Sequence, residues 1–376
     1  MNLSERWSAA LAQLHAQGRY RELAAPRGLD LASNDYLGYG SGARAPDREA
    51  VSTRLRRSGM ASRLLRGHHP IWEELEAALA AWHGAEAALV MTSGYTANEG
   101  LLATVIEPHD WAASDALNHA SIIDGLRLAR AERFIYRHND LDHLEAGLRA
   151  AASSRLGGRQ LFVVTESLFG MDGDRTPLEP LVRLAAHYEA HVIVDEAHAT
   201  GCFGPGGSGC VDGAGLRPQV LATIHTGGKA LGVCGAYICG PARLKELLVN
   251  RCRHFIYTTA LPPVLGAWWL EVLARVRADD LGRAALHAAA ALFREELARR
   301  GVPATGGHYI VPVLLGDDAR AMEVARRLQE RGYDIRAVRP PSVPPGTARL
   351  RVSIHADHEP DRLVAAAAAL AAATAC

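Results

Sequence analysis

The sequence predicts an α/β fold with a mainly parallel central sheet. Short apolar runs alternate with segments of helical periodicity through the first two-thirds of the chain, and each run is apolar on both faces. Strands of this kind are covered by helices on each side, and their alternation with helices is typical of parallel sheets. The predicted strands are 87–91, 161–165, 192–194 and 220–224, and the predicted helices around them are 71–83, 96–106 and 178–189.

The pattern changes in the last third of the chain, which predicts a second, smaller domain. A helix-rich stretch over 264–300 leads into a strand, a helix and a final strand at 309–315, 319–331 and 348–354. At the other end of the chain an amphipathic helix is predicted over 3–17. A length of 376 residues exceeds that of a typical single domain. We therefore predict an N-terminal segment over 1–38, a large domain over 39–268 and a small α+β domain over 269–376.

Composition and charge are those of an ordinary globular protein. Apolar residues make up 48% of the chain, charged residues make up 22%, and the formal net charge is zero. No basic block is interleaved with aromatic residues, so nucleic acids and anionic membranes are not expected as main partners. No apolar run has the length of a membrane span and no secretory leader is recognisable, so we expect a cytoplasmic protein.

The spacing of cysteines and histidines gives no sign of a metal site. His187 and His191 stand four residues apart, but the second opens a predicted strand, and the chain has no His-Glu-x-x-His motif. The cysteines lack Cys-x-x-Cys spacing and are expected to be reduced thiols. The six are Cys202, Cys210, Cys234, Cys239, Cys252 and Cys376.

Lysine is scarce, and one lysine stands out. Of the 41 basic residues only Lys229 and Lys245 are lysines, and Lys229 follows an apolar run within Thr-Gly-Gly-Lys-Ala-Leu-Gly, residues 226–232. A desolvated lysine can form a Schiff base or act as a base, whereas arginine stays protonated. Lys245 lies on an amphipathic helical pattern and is expected to be a solvated surface charge. A loop lysine beside glycines is the plain alternative for Lys229.

Two further features follow predicted strands, where functional groups of parallel α/β sheets collect. Asp195 ends the run 192–194, and a buried carboxylate there requires a cation, either a protonated heterocycle nitrogen or an arginine. The segment 92–98 stands between a strand and a helix, where free N–H groups and hydroxyls either bind phosphate or simply cap the helix. Together with Lys229, these features indicate pyridoxal 5′-phosphate (PLP) as cofactor.

Several motifs resemble those of the α-oxoamine synthases, PLP enzymes of fold type I with an aspartate-aminotransferase-like architecture. The motifs are Ser-Asn-Asp-Tyr-Leu-Gly at 33–38, Asp-Glu-Ala-His at 195–198 and Thr-x-Gly-Lys at 226–229, and the similarity runs nearly end to end. The stretch 339–351 begins Arg-Pro-Pro, which resembles the member that makes a biotin precursor rather than the aminolevulinate, aminoketobutyrate or sphingoid-base synthases. The resemblance implies an acyltransferase that joins L-alanine to a pimeloyl thioester with loss of CO2, the thioester being carried by CoA or by acyl-carrier protein.

The resemblance also assigns cofactor roles. Lys229 would hold the cofactor as a Schiff base and move the Cα proton, Asp195 would pair with the pyridinium nitrogen, and His119 would stack over the ring. The remaining implied cofactor-binding residues lie beside the ring and the phosphate: Gly94, Tyr95, His198, Thr226, Thr258 and Thr259. The last two would contact the phosphate of the partner subunit, which implies a homodimer with shared active sites.

Substrate-binding roles are implied for a second set of residues. Arg351 with Asn34 would hold the amino-acid carboxylate, Arg21 and Ser342 would line the path of the acyl substrate, and His119 would also contact substrate. A solvated strand face is the plain alternative for Arg351, which alternates with apolar residues over 348–354.

The chain departs from the family pattern at several positions, and two other functions stay open. Gly170 stands where a serine is usual, so one hydrogen bond near the cofactor is expected to be missing. The other departures are Met60, Trp72, Ser208, Gly228 and Ser342. The alternatives are a sister synthase, such as glycine C-acetyltransferase, and a PLP-binding subunit without activity. A dinucleotide-binding enzyme is not favoured because no Gly-x-Gly-x-x-Gly follows a strand.

Overall fold

The computed structural model describes residues 1–41, 44, 55–153 and 157–375. The chain divides into two compact units. The small unit comprises 1–36, 171–174 and 284–376, and the large unit comprises 37–170 and 175–283. The predicted division placed a boundary at 268/269, and that boundary falls inside a helix that runs from Pro263 to Ala278.

The strands and helices are numbered along the chain. The strands are β1 Leu29–Asp30, β2 Ala87–Met91, β3 Trp111–Asp115, β4 Glu132–Tyr136, β5 Leu161–Glu166, β6 Ala190–Asp195, β7 Ala222–Thr226, β8 Ala236–Gly240, β9 Ile310–Gly316, β10 Tyr333–Asp334, β11 Ala337–Val338 and β12 Ala348–Ser353. The α-helices are α1 Leu3–Ala16, α2 Pro70–Trp82, α3 Gly94–Val105, α4 Ala120–Ala129, α5 Leu141–Ser153, α6 Leu178–His187, α7 Cys210–Gly213, α8 Ala242–Arg251, α9 Arg253–Ile256, α10 Pro263–Ala278, α11 Asp280–Arg299, α12 Asp318–Glu330 and α13 Pro360–Thr374.

A seven-stranded sheet forms the centre of the large unit, which confirms the predicted fold class. The strand order is β2-β8-β7-β6-β5-β3-β4, and the pairs from β7 to β4 are all parallel. β8 is antiparallel to both of its neighbours. The parallel strands share one carboxyl edge, so Glu166 and Asp195, which are register partners at the ends of β5 and β6, lie side by side there.

Helices α3 and α4 pack against each other and against this sheet. Their apolar faces join a buried cluster that includes Leu101, Ile122 and Ile193, and burial of each such side chain contributes roughly 1.5–3 kcal/mol. Gly125 permits the close approach, because a Cβ there would lie 3.1 Å from the carbonyl oxygen of Asn98. The packing holds the first turns of both helices near the carboxyl edge of the sheet.

The small unit has sheets of its own. β9, β12 and β11 form a three-stranded antiparallel sheet, and β1 pairs with β10 in parallel. All six residues of β12 are buried, so both of its faces are covered. The predicted helix over 3–17 is confirmed as α1, which has no buried residue.

Two further predictions concern cysteines and membranes. None of the five described cysteines forms a disulfide, and Cys376 lies outside the described residues. Within the described part of the chain, no helix is both long enough and apolar enough to cross a membrane.

Candidate active site

Lys229 lies in the turn after β7, and its amine contacts a buried histidine. Nζ of Lys229 is 2.9 Å from Nε2 of His198, which follows β6. The amine is therefore held among the side chains that follow neighbouring strands. Lys245 is not the solvated charge that was predicted, because its Nζ lies 2.8 Å from Oε2 of the buried Glu76.

Asp195 is buried at the end of β6, with 6% of its surface exposed. Its Oδ2 accepts a hydrogen bond from Nδ2 of Asn98 at 2.7 Å, and its Oδ1 accepts one from the backbone N–H of Ala197 at 2.8 Å. No arginine among the described residues forms an ion pair with it, so none of those arginines is the alternative partner. The carboxylate is held in place by neutral donors, which suits it to a positively charged group brought by a ligand.

His119 precedes α4 and has its ring held from one side. Its Nδ1 lies 3.2 Å from the backbone nitrogen of Ser121 and 2.7 Å from Oγ of the same residue. Desolvation of the ring lowers the pKa of His119, the charge of Asp195 opposes that shift, and the charge of Lys229 adds to it. The charges of Asp195 and Lys229 thus both act on the pKa of this ring.

Glu166 belongs to the same site and is not among the residues that the sequence predicts there. Its Oε1 accepts a hydrogen bond from the backbone N–H of His119 at 2.7 Å. Burial, and then the negative charge of Asp195, raise the pKa of Glu166 to about 8, while the charge of Lys229 opposes the shift. The signal was present, because Glu166 ends an apolar strand in the way that Asp195 does.

The first turn of α3 has the features of a phosphate cradle. Ser93 caps the helix, with its Oγ accepting the backbone N–H of Thr96 at 3.2 Å. Thr226, at the end of β7, faces the turn, because a Cβ built on Gly94 would lie 3.7 Å from its Oγ1. Tyr95 donates its hydroxyl to Asp124 and meets the ring of His119 edge-on at 6.0 Å. A helix start beside a threonine hydroxyl suits a phosphate group.

Steric contact with His198 explains the presence of a glycine at position 170. A Cβ at this position would lie 2.2 Å from Nε2 of His198, far inside contact distance. The glycine therefore makes room for the ring that contacts Lys229. Its backbone N–H also donates to Glu166.

Thr258 and Thr259 follow α9 and line a cleft of the large unit. Thr92 and Trp72 also line this cleft. Nε1 of Trp72 is buried without a hydrogen-bond partner among the described residues. Contact of the two threonines with a partner subunit stays a prediction.

In the small unit Arg351 and Asn34 come together as predicted. Nη2 of Arg351 donates to Oδ1 of Asn34 at 2.9 Å and to the Tyr36 hydroxyl at 3.1 Å, and Nη1 donates to Oγ of Ser353 at 2.7 Å. The alternative of a solvated strand face is wrong, because Arg351 is 7% exposed and its guanidinium contacts Asn34, Tyr36 and Ser353. Its neighbour Arg349 is also buried and pairs with a carboxylate, that of Asp172.

Arg21 and the loop that carries Ser342 are also linked within the small unit. Nη2 of Arg21 donates to the carbonyl oxygen of Pro340 at 3.4 Å, and Arg339 donates to the carbonyl oxygen of Gly18. Both Arg21 and Ser342 are exposed. The Arg-Pro-Pro segment thus lies against the segment after α1.

One buried group of potential metal ligands exists among the described residues: His83, His225 and Cys239. Both ring nitrogens of each histidine already have hydrogen-bond partners. His83 contacts the Ser208 carbonyl and the Tyr237 hydroxyl, and His225 contacts the hydroxyls of Thr200 and Thr223, each at 2.8 Å. Burial lowers the pKa of His83 to about 3, so its ring is neutral. The group is explained as a buried hydrogen-bond network.

Comparison with known proteins gives the context of this site. The profile of the family "Aminotransferase class I and II" matches residues 26–370. An 8-amino-7-oxononanoate synthase from Chlorobaculum parvum is 43% identical over 95% of each chain, and one from Anaeromyxobacter dehalogenans strain 2CP-1 is 44% identical over 95% of this chain and 89% of that one. Among solved structures, a serine palmitoyltransferase from S. paucimobilis with a bound PLP–myriocin aldimine has a TM-score of 0.89 and 28% identity, covering 99% of this chain and 98% of that one. An 8-amino-7-oxononanoate synthase from Francisella tularensis has a TM-score of 0.74 and 25% identity, covering 92% and 97%.

Proposed function

We propose that the chain condenses L-alanine with a pimeloyl thioester, because it belongs to the 8-amino-7-oxononanoate synthases. These are PLP-dependent acyltransferases of biotin biosynthesis within the class I and II aminotransferase family. Alanine would lose its Cα proton and its carboxyl group as CO2. The acyl carbon would bond to Cα, the thiol would leave, and a proton would return to Cα. The observation that carries the proposal is the meeting of Lys229, His198 and Asp195 at one edge of the sheet.

The residues of the large unit fit the cofactor. When bound, PLP supplies an aldehyde that an amine can attack and a pyridinium ring that withdraws electrons from the substrate Cα. Asp195, buried and held by Asn98, would keep the ring nitrogen protonated. The first turn of α3 and Thr226 would take the phosphate, and Lys229 would bind the aldehyde and later carry the Cα proton.

Two histidines and an arginine would contact the cofactor ring and the amino acid. His119 would cover the ring and His198 would bond its hydroxyl. Arg351, fixed by Asn34, would take the carboxylate of alanine as a charged donor.

Further residues would contact the acyl donor, the cofactor and the partner subunit. Arg21 and Ser342 would lie along the path of the acyl thioester, carried by CoA or by acyl-carrier protein. Gly94 and Tyr95 would flank the cofactor. Thr258 and Thr259 would reach the phosphate in the partner subunit of a cytoplasmic homodimer.

The chain offers a matched pair of lysine variants for the test. Lys229→Ala is expected to abolish both the visible absorbance of the cofactor-loaded protein and turnover. Lys245→Ala removes the only other lysine and should keep both, at some cost in stability, because Lys245 pairs with buried Glu76. A Lys229→Ala protein that still turned over alanine would contradict the assignment.

A second candidate, a sister synthase, is favoured by the likeness to serine palmitoyltransferase structures. A panel of amino acids and acyl thioesters, with CO2 release as readout, separates the two. We expect alanine with a pimeloyl thioester to give the highest kcat/KM. Faster reaction of glycine with acetyl-CoA, or of serine with a long-chain thioester, would favour the sister function, and no reaction with any pair would favour a non-catalytic subunit.

A further inference from the structure

We propose that Asn98 and Ser121 are positioning residues that fix His119 as the neutral imidazole with its proton on Nε2, and that tie this ring to the carboxylate of Asp195. The contacts form a continuous chain. Nδ2 of Asn98 lies 2.7 Å from Oδ2 of Asp195 and 3.0 Å from Oγ of Ser121, and that Oγ lies 2.7 Å from Nδ1 of His119. The inference rests on the proposed function only for the place of His119 at the cofactor.

The orientation of Asn98 is set by Asp195. An ionised carboxylate can only accept hydrogen bonds, so the amide must turn its NH2 group towards it. Turning the amide over would place Oδ1 of Asn98 against Oδ2 of Asp195, and two acceptors would meet. The two hydrogens of Nδ2 are then used by Asp195 and Ser121, both of which are buried.

The orientation of Asn98 in turn fixes the proton of Ser121. Since Oγ of Ser121 accepts from Asn98, its single hydrogen is available to His119 Nδ1. The backbone N–H of Ser121 also points to Nδ1, at 3.2 Å, and an N–H group cannot accept. Nδ1 therefore receives two donors and carries no proton, so the neutral ring has its hydrogen on Nε2.

The surrounding charges are consistent with a neutral ring. The titratable groups that face His119 are Asp195, Lys229, Tyr95 at 6.0 Å, and Glu166, which accepts the His119 backbone N–H. Desolvation and Lys229 lower the pKa of His119 against the opposing effect of Asp195. No described residue accepts the Nε2 hydrogen. In this state His119 offers the site a hydrogen-bond donor and is not a base.

The tautomer is measurable in the cofactor-free protein by NMR of histidine labelled with 13C and 15N, with His119→Asn identifying the signals. We expect the Nε2–H form at neutral pH and a pKa below 6.5. Ser121→Ala leaves Nδ1 with the backbone N–H as its one donor, so a fraction of the Nδ1–H tautomer should appear and the pKa should rise by about 0.7 unit, the equivalent of one ordinary hydrogen bond. Asn98→Leu removes the donor that directs the Ser121 hydroxyl hydrogen to Nδ1 of His119, so this variant should also give a mixture of tautomers.

Two further variants separate positioning from general damage. Ser121→Thr keeps the hydroxyl and should restore the single tautomer. Ser114→Ala removes another buried hydroxyl, which Asn118 contacts at 2.9 Å outside this chain of contacts, and should change nothing at His119. An Nδ1–H form in the unsubstituted protein, or an unchanged ring in Ser121→Ala, would overturn the inference.

Kinetics provide the second readout. The acid limb of the pH profile of kcat/KM should move up in Ser121→Ala by the same amount as the pKa of His119, and Ser121→Thr should reverse the shift. An acid limb that stays in place while the pKa of the ring moves would refute the link to the reaction. A protein with the expected tautomer but without condensing activity would refute the proposed function and leave the tautomer assignment intact.

Discussion

A methyl group added at Gly170 should loosen the contact between His198 and Lys229. The Cβ of alanine would stand 2.2 Å from His198 Nε2, whereas ordinary contact begins at 3.4 Å. The ring must therefore move by roughly 1.2 Å. Because a hydrogen bond of 2.9 Å is lost beyond about 3.5 Å, Lys229 must follow the ring or lose its partner.

The size of the effect follows from overpacking and from the lost bond. Forcing one extra methyl group into a packed site costs about 1–3 kcal/mol of unfolding free energy. Loss of one net hydrogen bond of about 1 kcal/mol corresponds to about a fivefold higher dissociation constant for a ligand whose binding depends on that hydrogen bond. Gly170→Ala should show both effects, the first in denaturant unfolding of the cofactor-free protein and the second in titration with PLP followed by visible absorbance.

Two companion variants sharpen the test. Gly228→Ala adds a methyl group beside Lys229. Among the described residues other than its chain neighbours, that group would meet Oγ1 of Thr226 alone, at 4.0 Å, so both quantities should stay close to those of the unsubstituted protein. Gly170→Ser has the same Cβ as Gly170→Ala and adds a hydroxyl, which should recover part of the cofactor affinity. If Gly170→Ala matched Gly228→Ala in both measurements, the steric explanation of Gly170 would be refuted.

Two other predictions concern charged groups. Glu166, with a pKa raised from 4.5 to about 8, is protonated more readily in the folded protein, so its contribution to the stability of the cofactor-free protein is present at low pH and is lost as pH rises to about 8. Glu166→Gln should flatten that decline in unfolding free energy, and an unchanged pH dependence would contradict the shift. Arg351→Lys should raise KM for alanine about tenfold or more, because a lysine ammonium cannot replace the planar guanidinium as a donor. Arg349→Lys, which disturbs the pair with Asp172, should instead mainly lower the melting temperature, and equal effects of the two on KM would count against the role of Arg351.

The strands that the sequence predicts are those with a continuous apolar run. β2, β5 and β6 coincide with continuous apolar runs, so they were recognised close to their observed bounds. β4 at the edge of the sheet has mostly exposed residues, and β3 has small residues after Trp111 and ends in an aspartate. Neither has the apolar pattern on which recognition depends, and their burial is decided by tertiary contacts.

The same distinction explains which site residues were predicted. Asp195 was identified because a charged residue at the end of an apolar strand is unusual in any fold. Asn98 has no such signal, because a polar residue within a helix is normally solvated, and only the packing of α3 on α4 buries it beside Asp195. The solvated alternative for Arg351 failed for a related reason, since alternation along β12 does not show what covers its second face.

The two carboxyls at the carboxyl edge of the sheet limit what the site can bind. Glu166 and Asp195 end adjacent strands in register, and both are buried. Two buried charges of the same sign on neighbouring strands repel strongly, so one carboxyl must be neutral, and the raised pKa assigns the proton to Glu166. Asp195, bonded by Asn98 and Ala197, keeps the negative charge. The pair of carboxyls then carries one negative charge, and a ligand that brings a positively charged N–H group to Asp195 is complementary to it.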